Sequence, residues 1–134
     1  MKNIIQKITI LTLFLGFTVT MDSCKKEEVI LTPAEQIIGK WKLTDIENNG
    51  YSEADYAFNY KIRTSELNSI YEFKADFTYT FIRTTGPLYM GRYNIGGNKL
   101  TYPTENNIYL IAFNGNIMTQ VINSGKLKYI YTKQ

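Results

Sequence analysis

The amino-acid sequence predicts an all-β domain, an eight-stranded antiparallel up-and-down barrel with a short N-terminal helix. Apolar and aromatic residues recur at every second position in short runs, which is the period of a strand with one buried face. Turn residues such as Asn-Gly and Gly-Gly separate those runs, and all connections but one are short, so consecutive strands pair as hairpins. Regularly spaced short strands indicate a sandwich or a barrel, and the sequential hairpins favour an up-and-down barrel, which also leaves no exposed strand edge.

Residues 1–23 have the pattern of a secretory signal peptide, which we expect to be cleaved and to take no part in the fold. The segment begins with a basic stretch that includes Lys2 and Lys7, continues with an apolar run from Ile8 to Val19, and places the small residue Ser23 before the cleavage point. The apolar run is shorter than the roughly 20 residues that a membrane-spanning helix needs.

The only cysteine stands where this signal ends. Thr20-Met21-Asp22-Ser23-Cys24 resembles the lipobox of Bacteroidota lipoproteins, in which the cysteine becomes the acylated N-terminus. The resemblance implies a membrane anchor of acyl chains, such as palmitate, on Cys24 and a place in the outer membrane. Residues 24–35 then form a lipidated tether and a helix start. Lys25-Lys26-Glu27-Glu28 is either a solvated tether or a signal for export to the cell surface, so the cell surface and the periplasmic face of the outer membrane both stay open as locations. The alternative to lipidation is an ordinary signal peptide with an unused thiol at Cys24.

The composition argues against several kinds of chemistry. The chain contains no histidine and a single cysteine, which removes the commonest general base, the commonest transition-metal ligand and any cysteine-based metal site. We therefore expect no metal, no cofactor and no enzymatic activity. Asp45 and Glu47 share one face of the first strand as a pair of carboxylates, but a solvated pair is the commoner arrangement at a strand end. The net charge of +3 predicts no nucleic-acid partner.

Residues 36–134 make up the predicted barrel, and its first strand carries the only tryptophan. Thr32-Pro33-Ala34-Glu35 is a capping box that predicts a short helix just before this strand. The strand itself is expected from Ile38 to Ile46, with Trp41 and Leu43 on the inner face. Trp41 is read as an anchor of the core, with direct contact to a ligand as the less common alternative.

The segment from Tyr51 to Asn68 is longer than most connections in a compact domain. Helical turns are expected over Ser52–Phe58 and Thr64–Leu67. The segment is either a plug packed on one end of the core or a lid over a pocket. Because tyrosine is enriched at interfaces, residues 51–68 are also the candidate contact for a protein partner.

Seven further strands complete the predicted barrel. They are expected at Ser69–Lys74, Phe77–Ile82, Leu88–Ile95, Lys99–Tyr102, Ile108–Phe113, Ile117–Ile122 and Leu127–Tyr131. Within these, Gly91 marks a bend or a close approach of the backbone.

Several short motifs together resemble the lipocalin-like lipoproteins of Bacteroidota. The motifs are Gly39-Lys40-Trp41, Tyr71-Glu72-Phe73, Asp76-Phe77-Thr78-Tyr79, Gly91-Arg92-Tyr93-Asn94-Ile95 and Asn98-Lys99-Leu100. The resemblance covers about Ile37 to Lys133 and implies a calycin-type barrel that is closed near Trp41. In full lipocalins an arginine on the last strand packs over the tryptophan. No arginine follows Arg92 here, so Lys133 or Lys128 would have to take its place.

The aromatic residues that share the inward phase are the candidate ligand-binding residues. They are Trp41, Tyr71, Phe73, Tyr79, Phe81, Tyr93, Tyr102 and Tyr129. The interior of an eight-stranded barrel is either filled by side chains or holds one small ligand. The expected function is therefore non-enzymatic binding of a small hydrophobic molecule by a membrane-anchored, exported lipoprotein. The alternative is a surface protein-interaction or structural module whose barrel is filled.

Overall fold

The computed structural model describes residues 29–122 and 125–134. The expected signal peptide, the lipidation site Cys24 and most of the tether lie outside the described residues. Within those ranges, no helix has the length and the apolar character that a membrane span requires.

The described residues form two short helices, one 3₁₀ turn and nine strands. The helices are α1 (Pro33–Gln36) and α2 (Glu53–Arg63), and the 3₁₀ turn (Thr64–Glu66) follows α2 directly. The strands are β1 (Gly39–Asn48), β2 (Ile70–Phe73), β3 (Thr78–Ile82), β4 (Tyr89–Arg92), β5 (Asn94–Gly96), β6 (Lys99–Thr101), β7 (Ile108–Asn114), β8 (Ile117–Ile122) and β9 (Leu127–Lys133).

The nine strands make one antiparallel sheet that curls into a nearly closed barrel. Its order is β4-β3-β2-β1-β9-β8-β7-β6-β5, so the first and last strands of the domain lie side by side at its centre. The predicted barrel class is confirmed. The count of eight strands was wrong, because the expected strand Leu88–Ile95 divides at Tyr93 into β4, which pairs with β3, and β5, which pairs with β6.

Tyr93 is the point at which the chain leaves one edge of the sheet for the other. Its side chain is buried, its hydroxyl donates to the Lys74 carbonyl at 2.8 Å, and its N–H donates to the Phe77 carbonyl at 2.9 Å. Just before it, Gly91 faces the ring of Tyr79, and a Cβ at Gly91 would lie 2.8 Å from that ring. The glycine therefore permits the close approach of backbone and ring that the sequence suggested.

Trp41 closes one end of the barrel. The capping box of Thr32 and Glu35 starts α1, and the chain then places Ile37 so that its carbonyl accepts a hydrogen bond from Trp41 Nε1 at 2.6 Å. Both side chains are almost fully buried. The short helix is thus fixed to the tryptophan as well as to its own cap.

Of the two lysines that could replace the lipocalin arginine over Trp41, Lys133 is the one that does so. Its Nζ lies 5.1 Å from the Trp41 ring centroid, within the range of a cation–π contact, and donates to the Gln36 carbonyl at 3.3 Å. Lys128 instead pairs with Glu47. Gly39 makes room for this lysine: its φ is +125°, and a Cβ there would lie 3.2 Å from Lys133 Cε.

A β-bulge in β1 changes which residues face the core. The register against β9 shifts between Leu43 and Asp45, so that Leu43 and Ile46 are both buried. Strict alternation from Trp41 would have pointed Asp45 and Glu47 inward. The bulge turns both carboxylates to the outer face and places the side chain of Ile46 in the core instead.

The strand expected from Phe77 begins one residue later, at Thr78. Phe77 lies in the turn with a φ of +62°, and about half of its side chain is exposed. Asp76 Oδ1 accepts hydrogen bonds from the N–H and the hydroxyl of Thr78 at 3.0 and 2.6 Å, an Asx turn that fixes this geometry. Phe77 is therefore not in phase with Tyr79 and Phe81.

Candidate functional site

A cavity of about 500 Å³ lies inside the barrel, away from the end that Trp41 closes. Five of the eight predicted ligand-binding residues line it, namely Tyr71, Tyr79, Phe81, Tyr102 and Tyr129. The interior is thus not wholly filled by side chains.

The other three predicted residues belong to the packed core. Trp41, Phe73 and Tyr93 are each no more than 2% exposed and are not among the residues that line the cavity. The Phe73 ring meets Tyr93 edge-on, with centroids 5.1 Å apart, and Trp41 packs against Phe113 at 5.6 Å. Their contribution is to close the barrel below the cavity.

Tyr71 stands at the centre of the aromatic wall. Its ring stacks on Phe81 with centroids 4.4 Å apart and lies 5.9 Å from Tyr79 and 6.3 Å from Tyr102. Tyr131 meets it edge-on at 6.0 Å. Such pairs add stability beyond the area they bury, so this wall is a rigid surface rather than a loose set of rings.

The inner part of the cavity carries polar atoms on a buried aromatic frame. Tyr131 Oη donates to Gln120 Oε1 at 2.9 Å, and both residues are at most 4% exposed. Burial raises the pKa of Tyr71, Tyr102 and Tyr131 well above the ordinary value of a phenol, because the phenolate would lose its hydration. These hydroxyls therefore stay protonated and able to donate hydrogen bonds at neutral pH.

Charged side chains surround the mouth of the cavity. Arg63 and Glu66 form an ion pair at 2.9 Å where α2 runs into the 3₁₀ turn, and Tyr109 Oη donates to Glu105 at 2.6 Å. The guanidinium of Arg83 lies 5.5 Å from the ring centroid of Phe81 and 5.2 Å from that of Tyr89. The mouth is therefore polar, whereas the walls behind it are aromatic.

The long segment from Tyr51 to Asn68 folds as α2 and the 3₁₀ turn beside this mouth. Ser52 caps α2, and Tyr56 Oη donates to the Ile46 carbonyl at 2.7 Å, which ties the helix to β1. Tyr51, Tyr56 and Tyr60 pack against the core from outside. The first predicted stretch, Ser52–Phe58, is part of a longer helix that runs unbroken to Arg63, and the second, Thr64–Leu67, corresponds to the 3₁₀ turn.

Several lining residues were not among the predicted ones. Tyr109 shares the inward phase of Ile111 on β7, and Tyr131 shares that of Tyr129 on β9, so their phase could have identified them. Gln120 was harder to predict as a lining residue, because both faces of β8 carry apolar residues and no local signal shows which face points inward. Arg63 and Glu66 reach the cavity only through the docking of α2 beside the mouth, which no strand pattern reveals.

The paired carboxylates considered for acid–base chemistry lie elsewhere. Asp45 Oδ1 accepts from the N–H of Ile46 at 2.7 Å, and Glu47 pairs with Lys128 on the outer face of the sheet. Neither lines the cavity. In the part of the chain that the structure describes, no group of three or more acidic, histidine or cysteine residues is arranged to hold a metal ion.

Comparison with known proteins gives one family match. A family model described as a lipocalin-like domain matches residues 37–129. Among solved structures, a protein of the DUF4847 family from Bacteroides vulgatus is similar to this chain at 16% identity, with a TM-score of 0.49, over 72% of this chain and 94% of that one. No curated protein matches.

Proposed function

Because this chain belongs to the lipocalin-like domain family, we propose that its barrel binds one small molecule in the tyrosine-lined cavity, without catalysing a reaction. The observation that supports the proposal is the cavity itself. Its volume of about 500 Å³ falls within the range of known ligand pockets, roughly 300–1,000 Å³. Aromatic walls with a few fixed polar groups are also the usual composition of such pockets.

The lining of the cavity refines the prediction of a small hydrophobic ligand. Tyrosine hydroxyls and the Gln120 amide interrupt the aromatic wall, and Glu105, Asn107 and Arg83 lie at the mouth. A flat, mostly apolar molecule that carries hydrogen-bonding groups fits this lining better than a plain hydrocarbon chain, since a plain chain would leave the polar groups unpaired.

A bulky residue at the mouth tests the proposal. Asn107 lines the cavity and is exposed, so Asn107→Trp is expected to weaken ligand binding at least about tenfold, a loss of about 1.4 kcal/mol, and thereby to lower the occupied fraction without disturbing the core. The measurement is native mass spectrometry of the chain purified gently from its own cells, which reports the fraction that carries an adduct.

Ala112→Trp is the matched control, because it adds the same side chain at an exposed position of β7 outside the cavity. The wild type and Ala112→Trp should carry the adduct alike. A bare mass for the wild-type chain, or equal occupancy in the two tryptophan variants, would contradict the proposal.

We propose further that the protein is an exported lipoprotein that Cys24 anchors in the outer membrane. The lipobox-like sequence that ends at Cys24 supports this. Metabolic labelling with palmitate should mark the wild-type chain, whereas Cys24→Ser should lose both the label and membrane association, because a stable anchor requires acyl chains. Persistent label in the variant would contradict the anchor, and protease treatment of intact cells distinguishes the cell surface from the periplasmic face.

A protein partner bound through residues 51–68 is the second candidate function. Phe58 and Ile62 stand four residues apart on one face of α2 and remain 68% and 54% exposed. Phe58→Asp combined with Ile62→Asp should abolish a cross-link to such a partner on intact cells. Met90→Asp, at an exposed apolar residue of β4, is the control. An unchanged cross-link in the double variant would count against this surface.

A further inference from the structure

Two hydrogen-bonding atoms at the inner end of the cavity have no partner. Tyr102 Oη and Gln120 Nε2 are buried and form no hydrogen bond with any residue that the structure describes. Their side chains are 3% and 4% exposed, and both residues line the cavity. Buried polar groups are nearly always paired in native proteins, so two unpaired donors side by side need an explanation.

The hydrogen bond from Tyr131 defines what Gln120 can offer. Tyr131 Oη donates to Gln120 Oε1 at 2.9 Å, so the amide oxygen is occupied and its NH₂ group is left free. A side-chain hydrogen bond from the Gln120 amide only partly offsets the increase in the pKa of Tyr102 that burial causes, so the NH₂ group lies near the phenol oxygen; its geometry is nevertheless too poor for a regular hydrogen bond, and neither atom has a well-formed partner. The phenol O–H and the NH₂ group therefore both have hydrogens to donate, and no carbonyl or carboxylate oxygen of the described residues accepts them.

We propose that this inner end recognises a neutral hydrogen-bond acceptor of the carbonyl type, which Tyr102 and Gln120 hold together. The inference rests on the proposed function, since it specifies which ligands the cavity takes. A neutral acceptor is favoured over a carboxylate because the cations lie elsewhere. Arg63 is paired with Glu66 at the mouth, and Arg83 rests on Phe81 and Tyr89. A buried carboxylate without a cation beside it would lose its hydration uncompensated.

Three probes of nearly equal size separate these possibilities. The probes are 2-acetonaphthone with a neutral carbonyl, 2-ethylnaphthalene with no acceptor, and 2-naphthoate with a charged one. Binding is measured by isothermal titration calorimetry on the full chain in amphipol, with empty amphipol as the blank. The ketone should bind about threefold to tenfold more tightly than the hydrocarbon, the contribution of one neutral hydrogen bond. It should also bind more tightly than the carboxylate.

Variants assign the preference to the two donors. Tyr102→Phe and Gln120→Leu should each reduce the ratio between ketone and hydrocarbon toward one, while the hydrocarbon binds as before. Thr119→Val removes a hydroxyl from β8 next to Gln120 but outside the cavity, and it should leave the ratio unchanged. Equal binding of ketone and hydrocarbon to the wild type, or a preference for the carboxylate, would overturn this inference but leave the proposed function intact. Failure of all three probes to bind would overturn both.

Discussion

Trp41→Ala is expected to lower the free energy of unfolding by about 3–5 kcal/mol, the usual effect of removing a large buried aromatic ring. The indole is almost fully buried at the closed end, and its loss would free the Ile37 carbonyl, the Phe113 ring and Lys133 at once. Since a whole domain is stable by only about 5–15 kcal/mol, this one substitution removes a large part of the total. Equilibrium urea unfolding followed by circular dichroism measures the change.

Two further variants give this prediction its controls. Phe58→Ala also removes an aromatic ring, but that ring is 68% exposed on α2, so the change should stay within about 0.5 kcal/mol. Trp41→Phe keeps a ring in the core while it removes the hydrogen bond to Ile37, and it should fall between the two. If Trp41→Ala cost no more than Phe58→Ala, the closed end would not be the anchor of the barrel.

The closed end is also the part of the fold that the sequence foretold most fully. The capping box, the single tryptophan and the glycine two residues before it can each be read locally in the sequence, although Trp41 and Gly39 also contact Phe113 or Lys133 far along the chain. The features that escaped prediction depend on the sheet as a whole. The bulge in β1 is one, because nothing in Thr44 or Asp45 announces a change of register. The division of the strand at Tyr93 is another, because it follows from where the two edges of the sheet meet.

The cavity shows the same division between local and global causes. Alternation identified five of its lining residues, since a phase is readable from the sequence alone. It also assigned Trp41, Phe73 and Tyr93 to a pocket, because phase separates inside from outside but does not separate a packed interior from an empty one. Whether an inward residue is packed or lines the cavity depends on its position along the barrel axis, and the pairing of all nine strands sets that position.

The buried tyrosines predict an alkaline limit to stability. Burial raises the pKa of Tyr71, Tyr102 and Tyr131 in the folded protein, whereas the same residues titrate near pH 10 in the unfolded chain. Below about pH 10 both states hold these protons, so this group of residues adds no pH dependence. Above it, the unfolded chain has released protons that the folded protein retains, so the free energy of unfolding falls as pH rises, by about 1.4 kcal/mol per pH unit for each tyrosine.

These three residues alone give a slope of about 4 kcal/mol per pH unit, which removes a stability of about 5–15 kcal/mol within about one to four units, so we expect cooperative unfolding in that range above about pH 10. The near-ultraviolet absorbance of phenolate and the circular dichroism should then change together. Tyr71→Phe should reduce the slope by about 1.4 kcal/mol per pH unit, since one titrating group is gone. Phe81→Leu, in the same stack, alters packing but no titrating group, so it should shift the stability without changing the slope. Gradual ionisation near pH 10 with the sheet intact would mean that the aromatic wall is open to water, and the rigid cavity inferred from it would have to be abandoned.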